Sequence, residues 1–274
     1  QALVMPALSG MVPGSAALVR TDRMALGDVV LQAEAGLCLN FGRAGQGHDG
    51  PKSRIALMAA WRKFLDDHPR PKGKSKKDEV DPEKAVARDL RLGKRRAFVH
   101  ANRADDIERA LEFIASAELD AVLVGCVEGH LVAKSIADAG HSVLLGPLDA
   151  QPSNFQHPHA IYENAALLDE AGVRLAFRTG DAHGVRNLPT LAGLAVAHGL
   201  PWEAAIRALT VNPMDILGEE EMGRLAVGAE ATFFVVEGDP LQPRHAVSEV
   251  YMAGRPSSME TRQTRLYEQF RELD

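Results

Sequence analysis

An α/β fold built on a parallel sheet or barrel, with a small all-β module appended, is the class the sequence predicts, and three observations predict it. Strand-like and helix-like segments alternate regularly from residue 95 to residue 209, as right-handed βα units do. The run Ala121-Val122-Leu123-Val124 is continuously apolar, which a parallel strand covered on both faces requires. Beyond Gly218 the alternation stops, and short apolar runs follow one another across tight turns with no helix between them.

The 274 residues suffice for one barrel-sized domain plus a small appendage. A formal net charge of −6 argues against nucleic acid as a partner. Cys38 and Cys126 match no metal motif and no disulfide framework, so each reads as a buried thiol. No apolar run approaches membrane-spanning length, and no secretory signal opens the sequence, which leaves the compartment open between cytoplasm and periplasm.

Taken in order, residues 1–40 read as short strands at 2–5, 16–20, 28–32 and 36–40, with turns through Ser9-Gly10 and Pro13-Gly14-Ser15. The glycines there lack a GK[ST] ending and a following helix, so they are not a phosphate loop. A Gly-rich loop spans Phe41 to Gly50. A helix from Pro51 to Asp67 is expected to turn Ile55, Met58, Ala59 and Phe64 inward. The charged run from Pro69 to Pro82 reads as a solvated loop, and Pro82 to Leu92 as a helix with proline in its first turn.

The central stretch follows. Ala97-Phe98-Val99 is a strand ending at His100. Asp105-Asp106 then open a helix, where free backbone N–H groups favour negative charge, and Ile107, Leu111 and Ile114 form its apolar stripe. The next strand leads to Glu128 and His130, and Leu131 to Ala139 is a helix closed by Gly140. Ser142 to Leu145 is a strand entering a loop from Gly146 to His159. Ala160 to Ala171 is a helix, and Val173 to Phe177 a strand running into Thr179-Gly180-Asp181-Ala182-His183. Two helices fill Arg186 to Leu209, and a charged helix closes the chain from Glu260 to Asp274.

Three strand ends therefore carry His100, His130 and Asp181. In a parallel sheet they converge on the rim where ligands are held, and two imidazoles with a carboxylate suit zinc or a similar divalent ion. Glu128 reads as a solvent-exposed residue at a helix start, with partnership to a histidine as the alternative. His157-Pro158-His159 reads as loop surface.

The segment from Leu209 to Gly254 resembles the end of the amidohydrolase superfamily, in its imidazolonepropionase-like and Xaa-Pro-dipeptidase-like branch. Thr210, Asn212, Pro213, Leu217, Gly218, Gly223, Leu225, Gly228, Ala231 and Gly238-Asp239-Pro240-Leu241 fit that pattern, while Met214 and Thr232 depart from it. The segments 100–107, 128–130 and 179–181 also look like that family's strand ends. The resemblance implies a TIM-type (β/α)8 barrel, incomplete in this chain, with part of a small β-sandwich. Boundaries follow at 1–215 for the barrel, 216–258 for the β module and 259–274 for the closing helix.

The resemblance also implies a hydrolase of amide or cyclic amide C–N bonds acting on a small-molecule substrate. His100, His130 and Asp181 would be its metal ligands, zinc being the expected ion. Asp181 would be its catalytic acid–base, with Arg103 and His183 orienting substrate. The family's first-strand H-x-H pair has no counterpart before residue 50. Either the chain is the later portion of a longer protein, or it has lost the front of its site. The alternative to an enzyme is a non-catalytic binding protein or partner subunit, and a further one is a fragment whose open barrel edge recruits a second copy as a homo-oligomer.

Overall fold

The computed structural model describes residues 1–21, 29–46, 50–70, 82–149 and 156–271. Its main sheet has seven strands in chain order: β1 (Ala2–Val4), β2 (Gly14–Val19), β3 (Val30–Asn40), β4 (Ala97–Ala101), β5 (Ala121–Gly125), β6 (Val143–Leu145) and β7 (Leu175–Phe177). β1, β2 and β3 pair antiparallel, whereas β3 through β7 pair parallel, so the sheet curls into half of a barrel. The expected barrel class is thus met, and the parallel part starts one strand earlier than residue 95.

The two runs expected at 28–32 and 36–40 form one eleven-residue strand, β3. Its polar middle, Gln32 to Glu34, lies beyond the covered part of the sheet, and its last five residues are all buried. β4 and β5 are buried at every position. Side chains alternate across the sheet. Leu37, Leu39, Val99, Leu123, Leu145 and Phe177 face the helices outside. Cys38, Phe98, Val122, Val124, Leu144 and Ala176 face inward, against Ile216, Leu217, Leu3 and Met5. Asn40 and His100, two residues beyond Cys38 and Phe98, share that inner face at the C-terminal ends of their strands.

The outer layer comprises α1 (Arg54–Asp67), α2 (Pro82–Arg91), α3 (Ala104–Ala117), α4 (Ala133–Asp138), α5 (Asn164–Glu170), α6 (Leu188–Ala197) and α7 (Trp202–Leu209), whereas α8 (Val211–Leu217) brings Ile216 and Leu217 against the inner face. α1 begins at Arg54 because the Ser53 hydroxyl accepts a hydrogen bond from Ala56 N. Its buried face is Leu57 and Trp61, and Met58 and Phe64 pack partly buried against the core as expected, whereas Ile55, 84% exposed, and Ala59 face solvent, which corrects those two. Trp61 stacks on Phe41, with ring centroids 5.0 Å apart. The helices expected from 131 and from 160 are shorter than the apolar pattern suggested, each preceded by a turn, and α8 is a third helix after the two expected from 186.

A separate three-stranded antiparallel sheet holds β8 (Phe233–Val236), β9 (Val247–Met252) and β10 (Arg255–Pro256). It is the expected β module, although Gly223-Arg224-Leu225 is not a strand. The closing helix, α9 (Arg262–Phe270), carries a capping box at Thr261 and Thr264 and buries none of its residues. Residues 71–81 of the charged loop, 47–49 and 150–155 of the two long loops, Asp28 and 272–274 lie outside the described residues. No described helix is long and apolar enough to cross a membrane.

Candidate active-site rim

The C-terminal ends of β3, β4, β5 and β7 bring together most of the buried polar side chains. The registers Asn40↔His100, His100↔Val124 and Ala101↔Gly125 set β3, β4 and β5 level with one another there. Asn40 is fully buried: its side-chain Nδ2 donates to Gly10 O at 2.7 Å, and its backbone carbonyl accepts Trp61 Nε1–H at 3.2 Å. The loop before β2 and helix α1 are thereby tied to the end of β3.

His100 is 8% exposed, and its Nδ1 has no hydrogen-bond partner. Burial pushes the ring pKa down to about 3, helped by the positive charge of Arg178 and by His157. The imidazole is therefore neutral through the physiological range. Asn102, two residues on, also has an unpartnered side-chain oxygen. Between them Gly125 takes a φ of +94° that only glycine adopts freely. A Cβ there would lie 2.1 Å from Asn102 Oδ1 and 3.3 Å from His100 Nε2. Cys126 follows with a φ of +50°, so the backbone at the end of β5 is held in a sparsely populated conformation beside these two unpartnered groups.

A cleft of about 80 Å³ opens beside His100, lined also by Gly42, Arg43, Arg54, Asn102, Arg103, Asp106, Gln156 and His157. Arg54 reaches the buried carboxylate of Asp106 through Nε, at 2.9 and 3.2 Å. Burial raises the Asp106 pKa while Arg54 draws it back. Arg103 pairs with Asp105 through Nε at 2.9 Å. His157, expected on the loop surface, instead lines this cleft, and burial lowers its pKa; His159 is exposed as expected.

Glu128 is 2% exposed, which corrects its expected place in solvent. Its two oxygens accept the backbone N–H groups of Ala104, at 3.2 Å, and His159, at 3.0 Å. It therefore stitches the start of α3 to the loop before α5. The alternation of polar and apolar residues gave no sign of this, because Glu128 is buried by the loops that cross it rather than by its own element.

His130 lies apart from the cleft. Asn164 Oδ1 accepts its backbone N–H at 2.8 Å, and burial lowers its ring pKa against the pull of Asn164 and Glu128. Its other charged neighbours are His159 and Glu163. Asp181 is exposed, with Oδ1 accepting Gly184 N–H at 2.7 Å, and His183 is exposed two residues on. As placed, His100, His130 and Asp181 do not form one donor set. Among the described residues no three His, Cys, Asp or Glu side chains are grouped to hold a metal ion. The residues that sequence reasoning missed, Asn40, Asn102, Gly125, Arg54, Asp106 and Arg178, belong to no common motif. Only the position of Asn102, just past the end of the strand that carries His100, pointed to this rim.

Residues 136–263 match the amidohydrolase family. The chain shares its fold with an amidohydrolase from Thermotoga maritima MSB8, at a TM-score of 0.85 and 23% identity over 93% of this chain and 70% of that one. A Xaa-Pro dipeptidase with methionine bound in its active site aligns at 0.52 and 18% identity, over 82% and 55% of the two chains. A triazine hydrolase variant aligns at 0.50 and 16%, over 86% and 64%. The chain thus spans less than two thirds of the latter two proteins. No curated protein sequence matches it.

Proposed function

We propose that the chain is an amidohydrolase-type enzyme that hydrolyses a C–N bond, in an amide or cyclic amide, of a small-molecule substrate. The observation that carries this reading is the neutral, unpartnered imidazole of His100 facing a polar cleft at the C-terminal ends of parallel strands. That is where sheets of this architecture hold their substrates. In the same reading 1–215 is the half-barrel, 216–258 the β module and 259–274 the closing helix.

His100 orients the scissile group through the ring nitrogens that the protein leaves free. Asp181 is the acid–base: Gly184 N–H fixes Oδ1, and Oδ2, which holds no hydrogen bond among the described residues, takes a proton from the attacking water and returns it to the leaving nitrogen. Arg103 and His183 position substrate from the ends of β4 and β7. The zinc or other divalent ion implied by the resemblance would need more donors than His100 with its described neighbours supplies, so no step here passes through it. His130, beside Asn164 and Glu128, supports the loop wall rather than the reacting centre.

The test is hydrolysis of a panel of N-acyl amides and cyclic amides by the purified chain, with bound metal measured on the same samples. Asp181→Asn should lower kcat/KM at least about 100-fold with the circular dichroism spectrum unchanged. Equal activity in the variant sinks the assignment. The failure of the described donors to group favours a second reading, a binding protein without turnover. Ligand binding by a folded chain that hydrolyses nothing on the panel, with or without added zinc, would establish it.

A further inference from the structure

A second cavity, of about 260 Å³, lies at the opposite end of the sheet from the His100 cleft and shares no lining residue with it. Two βα units end and restart around it. The helices α4 and α5 close beside it through Gly140 and Gly172, and the chain re-enters the sheet there at Ser142, just before β6, and at Arg174, just before β7. Both glycines are left-handed, with φ of +72° and +85°, and a Cβ on either would meet nothing within 4 Å, so the space beside them is open. The volume is just under the roughly 300–1,000 Å³ of clefts that take drug-sized molecules, which suits a small metabolite.

The helix side and the strand side of this cavity carry opposite polarity. The last carbonyls of a helix point out of its C-terminal end and favour a positive group. Gly140 N–H and Gly172 N–H turn back to Ala137 O and Asp169 O, while Asp138 O, Ala139 O, Glu170 O and Ala171 O accept no backbone N–H among the described residues. Two helix ends thus bring free carbonyls to one cavity. On the strand side stands Arg174, exposed, whose guanidinium holds no ion pair or hydrogen bond among the described residues; the Ser142 hydroxyl is equally free. No carboxylate lines the cavity to neutralise the arginine. Ser142 O and Arg174 O accept Leu123 N–H and Val143 N–H, at 3.0 and 2.9 Å, which fixes the backbone from which both side chains leave. His141 forms wall rather than a second cation: burial lowers its pKa, against the pull of the Ala121 backbone and Asp120.

A ligand with an ammonium group and a carboxylate on one carbon answers both sides at once. We propose that this cavity binds a free α-amino acid as its zwitterion. The ammonium donates to the carbonyls at the ends of α4 and α5, and the carboxylate accepts from the Arg174 fork and the Ser142 hydroxyl. Ala137 and Val173 are the apolar part of the lining, room for a small side chain. The site is separate from the hydrolytic centre proposed above and stands or falls without it.

Equilibrium binding to the whole chain tests this without turnover. L-alanine, propionate, ethylamine and inorganic phosphate are titrated by calorimetry into the wild type, Arg174→Gln and Ser142→Ala, with Arg103→Gln at the other end of the sheet as control. Arg174 is exposed and unpaired, so its replacement leaves the fold intact. The proposal expects L-alanine to bind at least fivefold more tightly than propionate, ethylamine or phosphate, each of which satisfies one side only. Arg174→Gln should weaken L-alanine at least tenfold, Ser142→Ala at least twofold, and the control should stay within twofold of the wild type. Propionate or phosphate binding as tightly as L-alanine overturns it in favour of a plain anion site, and ethylamine doing so overturns it in favour of a cation site. No heat from L-alanine at about 10 mM also overturns it, as does binding that survives Arg174→Gln and is lost in Arg103→Gln, which would place the amino acid at the His100 cleft.

Discussion

The two ends of the parallel sheet are built from the same strands and differ in almost every physical respect. At the N-terminal ends, polar groups are simple and wet. Arg96 pairs with Asp120 at 3.0 Å, both partly exposed, and the left-handed glycines Gly140 and Gly172 close helices into open space. At the C-terminal ends the polar groups are buried, two backbone positions in succession have positive φ, and His100 and Asn102 leave atoms unpartnered. A fold optimised only for stability would show the first pattern at both ends. The second marks the end at which the chain holds buried groups ready for a substrate.

Breaking the C-terminal end should cost most. Glu128→Ala strips the acceptors from Ala104 N–H and His159 N–H, and the expected loss of unfolding free energy is about 2–4 kcal/mol by chemical denaturation. A loss below about 0.5 kcal/mol would show that the loops at this rim do not depend on it.

The pH dependence of stability sharpens the contrast. In the folded chain the His100 ring stays neutral down to about pH 3, whereas in the unfolded chain it binds a proton near 6.5. Between those values the unfolded state holds more protons, so stability falls as pH drops from 6.5 toward 3. Replacing His100 by Gln should remove part of that fall, on the order of a few kcal/mol at its acid limit. Superimposable stability–pH curves for the two proteins would show that the ring is not held neutral.

Glycine substitutions compare the two ends directly. Gly125→Ala meets both an unfavourable φ and the Asn102 side chain, for an expected cost of about 2–3 kcal/mol. Gly140→Ala meets an unfavourable φ alone, with nothing within 4 Å, for about 1 kcal/mol. Asp120→Asn, which weakens an exposed pair, should change the unfolding midpoint least, by under about 0.5 kcal/mol.

Much of the frame was legible in the sequence. The fully buried strands β4 and β5 announced themselves as apolar runs, and the charged opening of α3 marked its first turn. The loss of helices after Gly218 marked the β module. The first forty residues were harder to read, because the polar middle of β3 looks like a turn until β2 is seen pairing beside it. The site was legible only at strand ends. His100 was identifiable as a residue following an apolar run. The burial of Glu128 and Asp106, the reach of Arg54 from α1 and the arrival of His157 from a distant loop depend on tertiary approach that no local period records. The placement of His130 outside the cleft lining has the same origin, because it follows the end of β5 by five residues and its backbone N–H is held by Asn164.

The measurement that bears most directly on the account compares two histidines at opposite ends of the sheet. His141 precedes β6 at the N-terminal end, and His100 closes β4 at the other. Turnover of an N-acyl amide by His100→Gln and His141→Gln, each verified as folded, sets one end against the other. We expect kcat/KM to fall at least about 100-fold in the first and less than about twofold in the second. Equal effects in the two variants, or a larger effect at His141, would contradict the assignment of the site to the C-terminal rim.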